Sequence, residues 1–185
     1  GRETIFAETG IQFMSINTLY QLVAEVELNS DLLQVADRFL TTADHMNYLF
    51  SGVAGNEVTL ASTSQLYNPT TGDWSEEIIK LAGLPKRIFP PIVQSGTRLG
   101  PLTDELQSEI GLNDVDVIAG CSHDTAAAVA AIPAEGEDWV FLSSGTWSLF
   151  GVELPKPLMN DAALEQNFSN EAGYGGTTRF QKSLI

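Results

Sequence analysis

One stretch, residues 115–153 (VDVIAGCSHDTAAAVAAIPAEGEDWVFLSSGTWSLFGVE), constrains the fold more than any other part of the chain. Its first half reads as a buried apolar strand over 115–119, a tight turn carrying Gly120, Cys121, Ser122, His123 and Asp124, and a small-residue helix over 125–131. Pro133 closes that helix, since proline lacks the amide donor and clashes with the preceding turn. Two β-rich runs follow, 139–142 and 146–152, joined by Ser143, Ser144 and Gly145. Strand, turn and helix in this order place Asp124 at the carboxyl end of a strand, where open α/β folds keep their ligands. The second unit places a glycine and several hydroxyls in a turn, where backbone amides can face an anion.

A carboxylate followed by a phosphate-sized turn points to phosphoryl transfer. That reaction needs an aligned hydroxyl, a carboxylate to take its proton, and donors around the phosphate oxygens. Asp124 can be the base. Gly145 lets a phosphate approach the backbone, and the Thr146 hydroxyl can donate to a phosphate oxygen. Plainer readings exist for both. An aspartate before an alanine-rich run is a good helix N-cap, and Ser-Gly between two strands is an ordinary hairpin turn.

Charge narrows the partners. Nine Lys plus Arg against 24 Asp plus Glu give a net charge of −15, which opposes a nucleic-acid surface or an anionic-membrane surface. Any nucleotide must then be held by local backbone dipoles and Mg²⁺. Apolar content of 43% and a mean hydropathy of +0.01 describe a globular chain. No apolar run reaches membrane-spanning length, and no signal peptide opens the sequence. A single cysteine excludes an internal disulfide framework and fits a reducing, cytoplasmic setting. The sequon at Asn167 is on that view a chance match.

Upstream, residues 17–28 carry Leu19, Tyr20, Val23 and Val26 at helical spacing. Ser30 or Asp31 can cap a second helix running through Leu40. A third helix over 44–50 stops at Gly52, and its Met46, Tyr48, Leu49 and Phe50 are expected in the core. His45 is expected to be packed or on the surface, with no metal-binding spacing around it. Residues 57–65, rich in Thr and Ser, read as a strand or an ordered loop, and 68–72 as a turn. Asp73 and Glu76 form a capping-box pattern for a helix ending at Gly83. The prolines at 85, 90 and 91 keep the next segment extended, and 96–100 reads as a turn. Thr103 caps a helix over 104–110 before Gly111, with an apolar stripe of Leu102, Leu106 and Ile110. The polar linker 133–138 is the clearest boundary.

Two further patterns carry less. Cys121 and His123 are two residues apart and would share a face in a strand, so a Cys-His nucleophile is conceivable; nothing nearby visibly activates the thiol. The glycines at 173, 175 and 176 lack the Gly-Lys-Ser/Thr ending of a P-loop.

GCSHDTAAAVAAIP followed by FLSSGTWSLFGVE resembles the centre of the FGGY carbohydrate kinases. Further matches run through TGIQFMSINTLYQL (9–22), ADHMNYLFSG (43–52), EVTLASTSQLYNPTTGDW (57–74) and NFSNEAGYGGTTRFQK (167–182). The resemblance implies a partial α/β fold of the actin-like ATPase (ribonuclease H-like) type. Residues 1–133 would form the C-terminal part of a sugar-binding first domain and 138–185 the start of a nucleotide-binding second domain. It implies ATP and Mg²⁺ as cofactors and phosphorylation of a ketose hydroxyl, L-rhamnulose first, with xylulose, ribulose or fuculose as alternatives. Asp124 would be the general base, His123 and Thr125 would line the sugar, and Gly145 and Thr146 would meet the phosphates. Ser183 stands where the family has an asparagine approaching the nucleotide, so that contact is weakened. The chain looks like an internal fragment, which implies an inactive isolated chain, possible self-association through uncovered surfaces, or a non-catalytic interaction module.

Overall fold

The computed structural model describes residues 1–28, 31–136 and 138–184. The chain begins with α1 (Arg2–Thr9), α2 (Thr18–Glu27), α3 (Asp31–Val35) and α4 (Thr42–Ser51). Short elements follow: β1 (Asn56–Glu57), α5 (Val58–Ala61), β2 (Tyr67–Asn68), β3 (Asp73–Trp74), α6 (Glu76–Leu81) and β4 (Ile92–Val93). Next come β5 (Thr97–Pro101), α7 (Asp104–Ile110), β6 (Asp116–Ala119) and α8 (Asp124–Ala130). The last part holds β7 (Phe141–Ser144), β8 (Ser148–Leu154), α9 (Asp161–Glu165), β9 (Ser169–Ala172) and β10 (Thr178–Ser183).

The core of the first part gathers Leu19 from α2, Ala61 from α5, Trp74 from β3, and Ile78 and Ile79 from α6, with Leu66 and Leu84 between them. Phe39, Trp74 and Phe89 meet as a cluster of tilted and edge-on rings, centroids 5.2–6.2 Å apart. Aromatic quadrupoles favour this edge-on packing over face-to-face stacking. That cluster explains one departure from expectation. The second helix stops at Val35 instead of reaching Leu40, because Phe39 leaves the helical path to pack here and its amide donates to the Ile88 carbonyl at 2.6 Å. The Ser30 cap lies outside the described residues, as does part of the linker at 137.

Several caps behave as their residue types dictate. The Thr103 hydroxyl accepts from the Leu106 amide and Gly111 (φ 69) ends α7. Gly52 (φ 71) ends α4. The capping box at Asp73 does not form. Asp73 pairs with Asn68 across the β2–β3 hairpin, and Ser75 takes over, accepting from the Ile78 amide. Residues 57–65 fold as β1, α5 and a 3₁₀ turn, not as a strand. The Ser62, Thr63 and Ser64 hydroxyls donate back to the carbonyls of Thr59, Leu60 and Ala61, which satisfies them inside a helical path. Residues 96–100 form a turn only at Gly96 (φ 88), and β5 then pairs with β6 across a bulge between Arg98 and Gly100.

Burial also departs from pattern. In α4 the buried side chain is Asp44, while Met46, Leu49 and Phe50 are exposed. No residue of α7 is buried and Ile110 is exposed. β6 is buried on one face only: Val117 and Ala119 point inward while Ile118 is exposed. His45 is on the surface.

After the linker, a four-stranded antiparallel sheet runs in the order β7-β8-β10-β9. A methyl group on Gly151 of β8 would lie 2.6 Å from the Phe180 carbonyl oxygen, so only glycine fits between the strands there. This sheet docks on the loop after α1 and on the 3₁₀ turn after α5. The Asn170 amide donates to the Gly10 carbonyl at 2.9 Å, the Phe13 amide to the Asn167 side chain at 2.8 Å, and the Ala172 amide to the Ser62 hydroxyl at 3.0 Å. The asparagine of the sequon is therefore engaged in the fold.

Candidate active site

The turn between β6 and α8 is held from below by a buried carboxylate. Glu57, with no exposed surface, accepts from the Ser122 amide at 3.0 Å, the Thr59 amide at 3.1 Å and the Thr59 and Ser95 hydroxyls. The Thr59 hydroxyl in turn accepts from the His123 amide at 3.2 Å. A carboxylate removed from water is tolerable only when its lone pairs are taken up in this way. Glu57 itself is set by Asp44, whose carboxylate accepts the Glu57 amide at 3.0 Å. Burial raises the pKa of Asp44, and the Thr41 hydroxyl and that amide pull it back. The result is a turn whose backbone is fixed on its protein side.

From this turn Asp124 projects outward, its side chain 97% exposed, at the first position of α8. Its Oδ1 accepts from the Thr125 amide at 2.7 Å. His123 rather than Asp124 occupies the cap position, and His123 makes no side-chain cap hydrogen bond. Asp124 thus has an oxygen left to meet a ligand. Thr125 is buried beside it.

The His123 ring is gripped by the C-terminal sheet. Arg179 and Glu171 face each other across β10 and β9, both buried, with Nη2 of Arg179 3.1 Å from Oε2 of Glu171. The same Nη2 lies 2.9 Å from His123 Nδ1. Burial alone would raise the pKa of Glu171, but Arg179 and His123 beside it and the Ser169 hydroxyl lower it to about 2.

Opposite the turn stands the β7–β8 hairpin. Ser143 and Ser144 belong to strand β7, so the connection is Gly145, Thr146 and Trp147. The Gly145 amide donates to the Trp147 carbonyl at 2.8 Å and is spent inside the hairpin, so it does not supply the anion-facing backbone donor that the sequence suggested for this turn. The Thr146 hydroxyl has no partner among the described residues and is exposed.

Turn and hairpin line one cleft of about 530 Å³, within the usual range for small-molecule sites. His123, Asp124, Thr125, Gly145 and Thr146 all border it. Ser183 does not. It ends β10 opposite Leu149, and its buried hydroxyl has no partner among the described residues. The sequence reading missed Gln12, Asn17, Thr18, Thr63, Trp147 and Glu171, which also line the cleft. Only the TGIQFMSINTLYQL match hinted at the first three. Cys121 turns away from His123 toward Ser95 (Sγ to Oγ 3.5 Å), so no Cys-His pair exists. Of the glycines after β9, Gly173 and Gly176 border a second cleft of about 540 Å³, and the run leads into a strand, not the helix of a P-loop. Among the described residues no group of three or more His, Cys, Asp or Glu can hold a metal ion, and no helix is long and apolar enough to cross a membrane.

Residues 1–131 match the N-terminal domain of the FGGY family of carbohydrate kinases. The chain is 40% identical over 184 residues to a rhamnulokinase of Lactiplantibacillus plantarum, covering all of this chain and 37% of the relative. It is 42% identical to a rhamnulokinase of Oceanobacillus iheyensis, again over all of this chain and 39% of the relative. The chain therefore spans well under half the length of the curated relatives it matches. Among solved structures, a ligand-bound xylulose kinase from Lactobacillus acidophilus superposes with a TM-score of 0.85 at 17% identity, over 98% of this chain and 36% of that one. A Plasmodium falciparum glycerol kinase with ADP gives 0.81 at 16%, over 99% and 37%. At such identities the likeness concerns the fold, which is the actin-like ATPase type in part. The matched family domain and the full-length rhamnulokinase relatives lead to one conclusion: this chain belongs to the FGGY family of carbohydrate kinases.

Proposed function

We propose that a protein carrying this chain transfers the γ-phosphoryl group of ATP to a hydroxyl of a ketose, L-rhamnulose first. The observation that carries this reading is the single cleft in which exposed Asp124 faces the hairpin bearing Thr146. Asp124 takes the proton of the sugar hydroxyl as its oxygen attacks the γ-phosphorus and the bond to the bridging oxygen breaks, leaving ADP and a sugar phosphate. His123 and Thr125 line the sugar. Thr146 donates its hydroxyl to a phosphate oxygen, and Gly145 contributes the small size that lets the phosphate come close. Positioning and electrostatics supply most of the rate in such reactions. When bound with the nucleotide, Mg²⁺ would neutralise phosphate charge, held mainly by the phosphate oxygens themselves. Ser183 is the weakest of the assigned positions, since it lies outside the cleft lining.

On the same reading, residues 1–133 belong to the sugar-binding first domain and 138–185 open the nucleotide-binding second. The family match ending at residue 131 supports this division. The setting we assign is the cytoplasm. Relatives named for rhamnulose favour that sugar over xylulose, ribulose or fuculose. A coupled assay of the complete protein across these sugars tests the choice; turnover on none of them overturns the kinase reading. The 185-residue chain alone is expected to show no measurable turnover and weak Mg·ATP binding by calorimetry. Tight, sugar-enhanced binding would contradict that expectation. Exposed Met46, Leu49, Phe50 and Ile118 make self-association of the isolated chain the matching expectation in sedimentation.

A further inference from the structure

We infer that Arg179, held by Glu171, is a positioning residue that fixes the tautomer of His123, so that the imidazole offers the cleft an N–H donor and leaves Asp124 as the base. The inference deepens the proposed kinase reading and rests on it for its catalytic meaning, though not for its chemistry.

A guanidinium has five donors and no acceptor. At 2.9 Å, Arg179 Nη2 can bond to His123 Nδ1 only by donating, and that bond requires Nδ1 to present its lone pair. A neutral imidazole with an unprotonated Nδ1 carries its hydrogen on Nε2. That nitrogen lies 3.5 Å from Asp124 Oδ1, on the cleft side. Glu171 Oε2 is also near Nδ1, at 3.2 Å, and would accept a hydrogen from it if one were there. Such an Nδ1–H would also stand 2.9 Å from the buried Arg179 cation, an arrangement that low-dielectric surroundings penalise. With the lone pair facing Arg179, one guanidinium nitrogen satisfies both the carboxylate and the ring.

Arg179 has little freedom to do otherwise. It is fully buried, its Nε donates to the Ala172 carbonyl at 3.3 Å and its Nη1 to Gln181 Oε1 at 3.4 Å. Glu171 is fixed by the Ser169 hydroxyl at 3.0 Å. The pair belongs to the C-terminal sheet, whereas His123 and Asp124 belong to the β6–α8 turn, so the contact sets the ring from outside its own element. For catalysis the consequence is a division of labour. The lone pair of His123 is occupied, so the ring cannot compete for the proton of the sugar hydroxyl. Its Nε2–H can instead donate to a hydroxyl oxygen or steady the Asp124 carboxylate.

The chain has two histidines, His45 and His123, so long-range ¹H–¹⁵N spectra of the 185-residue chain resolve the question directly. His45→Gln assigns the two rings. At pH 8, where an ordinary imidazole is neutral, His123 is expected as a single tautomer with hydrogen on Nε2. Arg179→Met is expected to shift it to a mixture, and Arg179→Lys, which keeps a donor, to restore a single form. Hydrogen on Nδ1 in the unaltered chain overturns the inference, as does an unchanged tautomer in Arg179→Met. Should Arg179→Met fail to fold, the unaltered chain and Arg179→Lys still decide it. The readout does not require turnover: the expected tautomer together with a sugar panel showing no phosphorylation would sink the kinase reading and leave this inference standing.

Discussion

The two walls of the cleft are built differently. The wall bearing Asp124 is fixed from beneath by buried Glu57 and Thr59 and from the side by Arg179 and Glu171, so its exposed carboxylate rises from a buried polar network. The wall bearing Thr146 is an exposed hairpin tip whose recorded bond is the one between the Gly145 amide and the Trp147 carbonyl. A general base must be placed within hydrogen-bond reach of one proton, which favours the rigid wall. Phosphate donors that close over a nucleotide can tolerate a looser one. On the proposed kinase reading, the first wall would position the base and the second would adjust to the nucleotide.

Breaking the rigid wall should have the largest effect on stability. Glu57→Ala leaves the Ser122 amide and the Thr59 and Ser95 hydroxyls without their acceptor, and is expected to cost about 3 kcal/mol or more in urea unfolding. A cost below about 1 kcal/mol would show that the turn is held elsewhere.

A pH effect comes next. Because the folded-state pKa of Glu171 is about 2, below its ordinary 4.5, its ionised form stabilises the fold above pH 4.5, and that contribution is lost as the pH falls toward 2. Acid unfolding followed by tryptophan fluorescence should show this component, of the order of 3 kcal/mol. Glu171→Gln should flatten it; an unchanged acid limb would contradict the pairing.

The loose wall predicts the smallest change. Thr146→Val removes one hydroxyl donor and should raise the KM for ATP in the complete protein roughly fivefold, the worth of about 1 kcal/mol. Stability should be unaltered, since the hydroxyl has no partner among the described residues. A loss of stability would instead give Thr146 a structural role.

The contrast also explains what could be read from the sequence. The turn with His123 and Asp124, the hairpin with Thr146, and the caps at Thr103, Gly52 and Gly111 are local patterns, and the sequence announces them. Glu57 reaches Ser122 across 65 positions and Arg179 reaches His123 across 56, and no local spacing encodes such contacts. Burial of a carboxylate or a guanidinium is equally invisible, because these residue types are ordinarily exposed. The exposed Met46, Leu49 and Phe50 show the converse error: helical apolar spacing marks a face, but it does not say what covers it.

The central claim is that Asp124, fixed on the rigid wall, takes the proton of the sugar hydroxyl. Asp124→Asn in the complete protein, assayed with L-rhamnulose and Mg·ATP, tests it most directly, because the amide keeps the size of the side chain but cannot accept that proton. The account predicts that kcat falls by at least ~100-fold while the KM for the sugar changes little. Full turnover in the variant would contradict it.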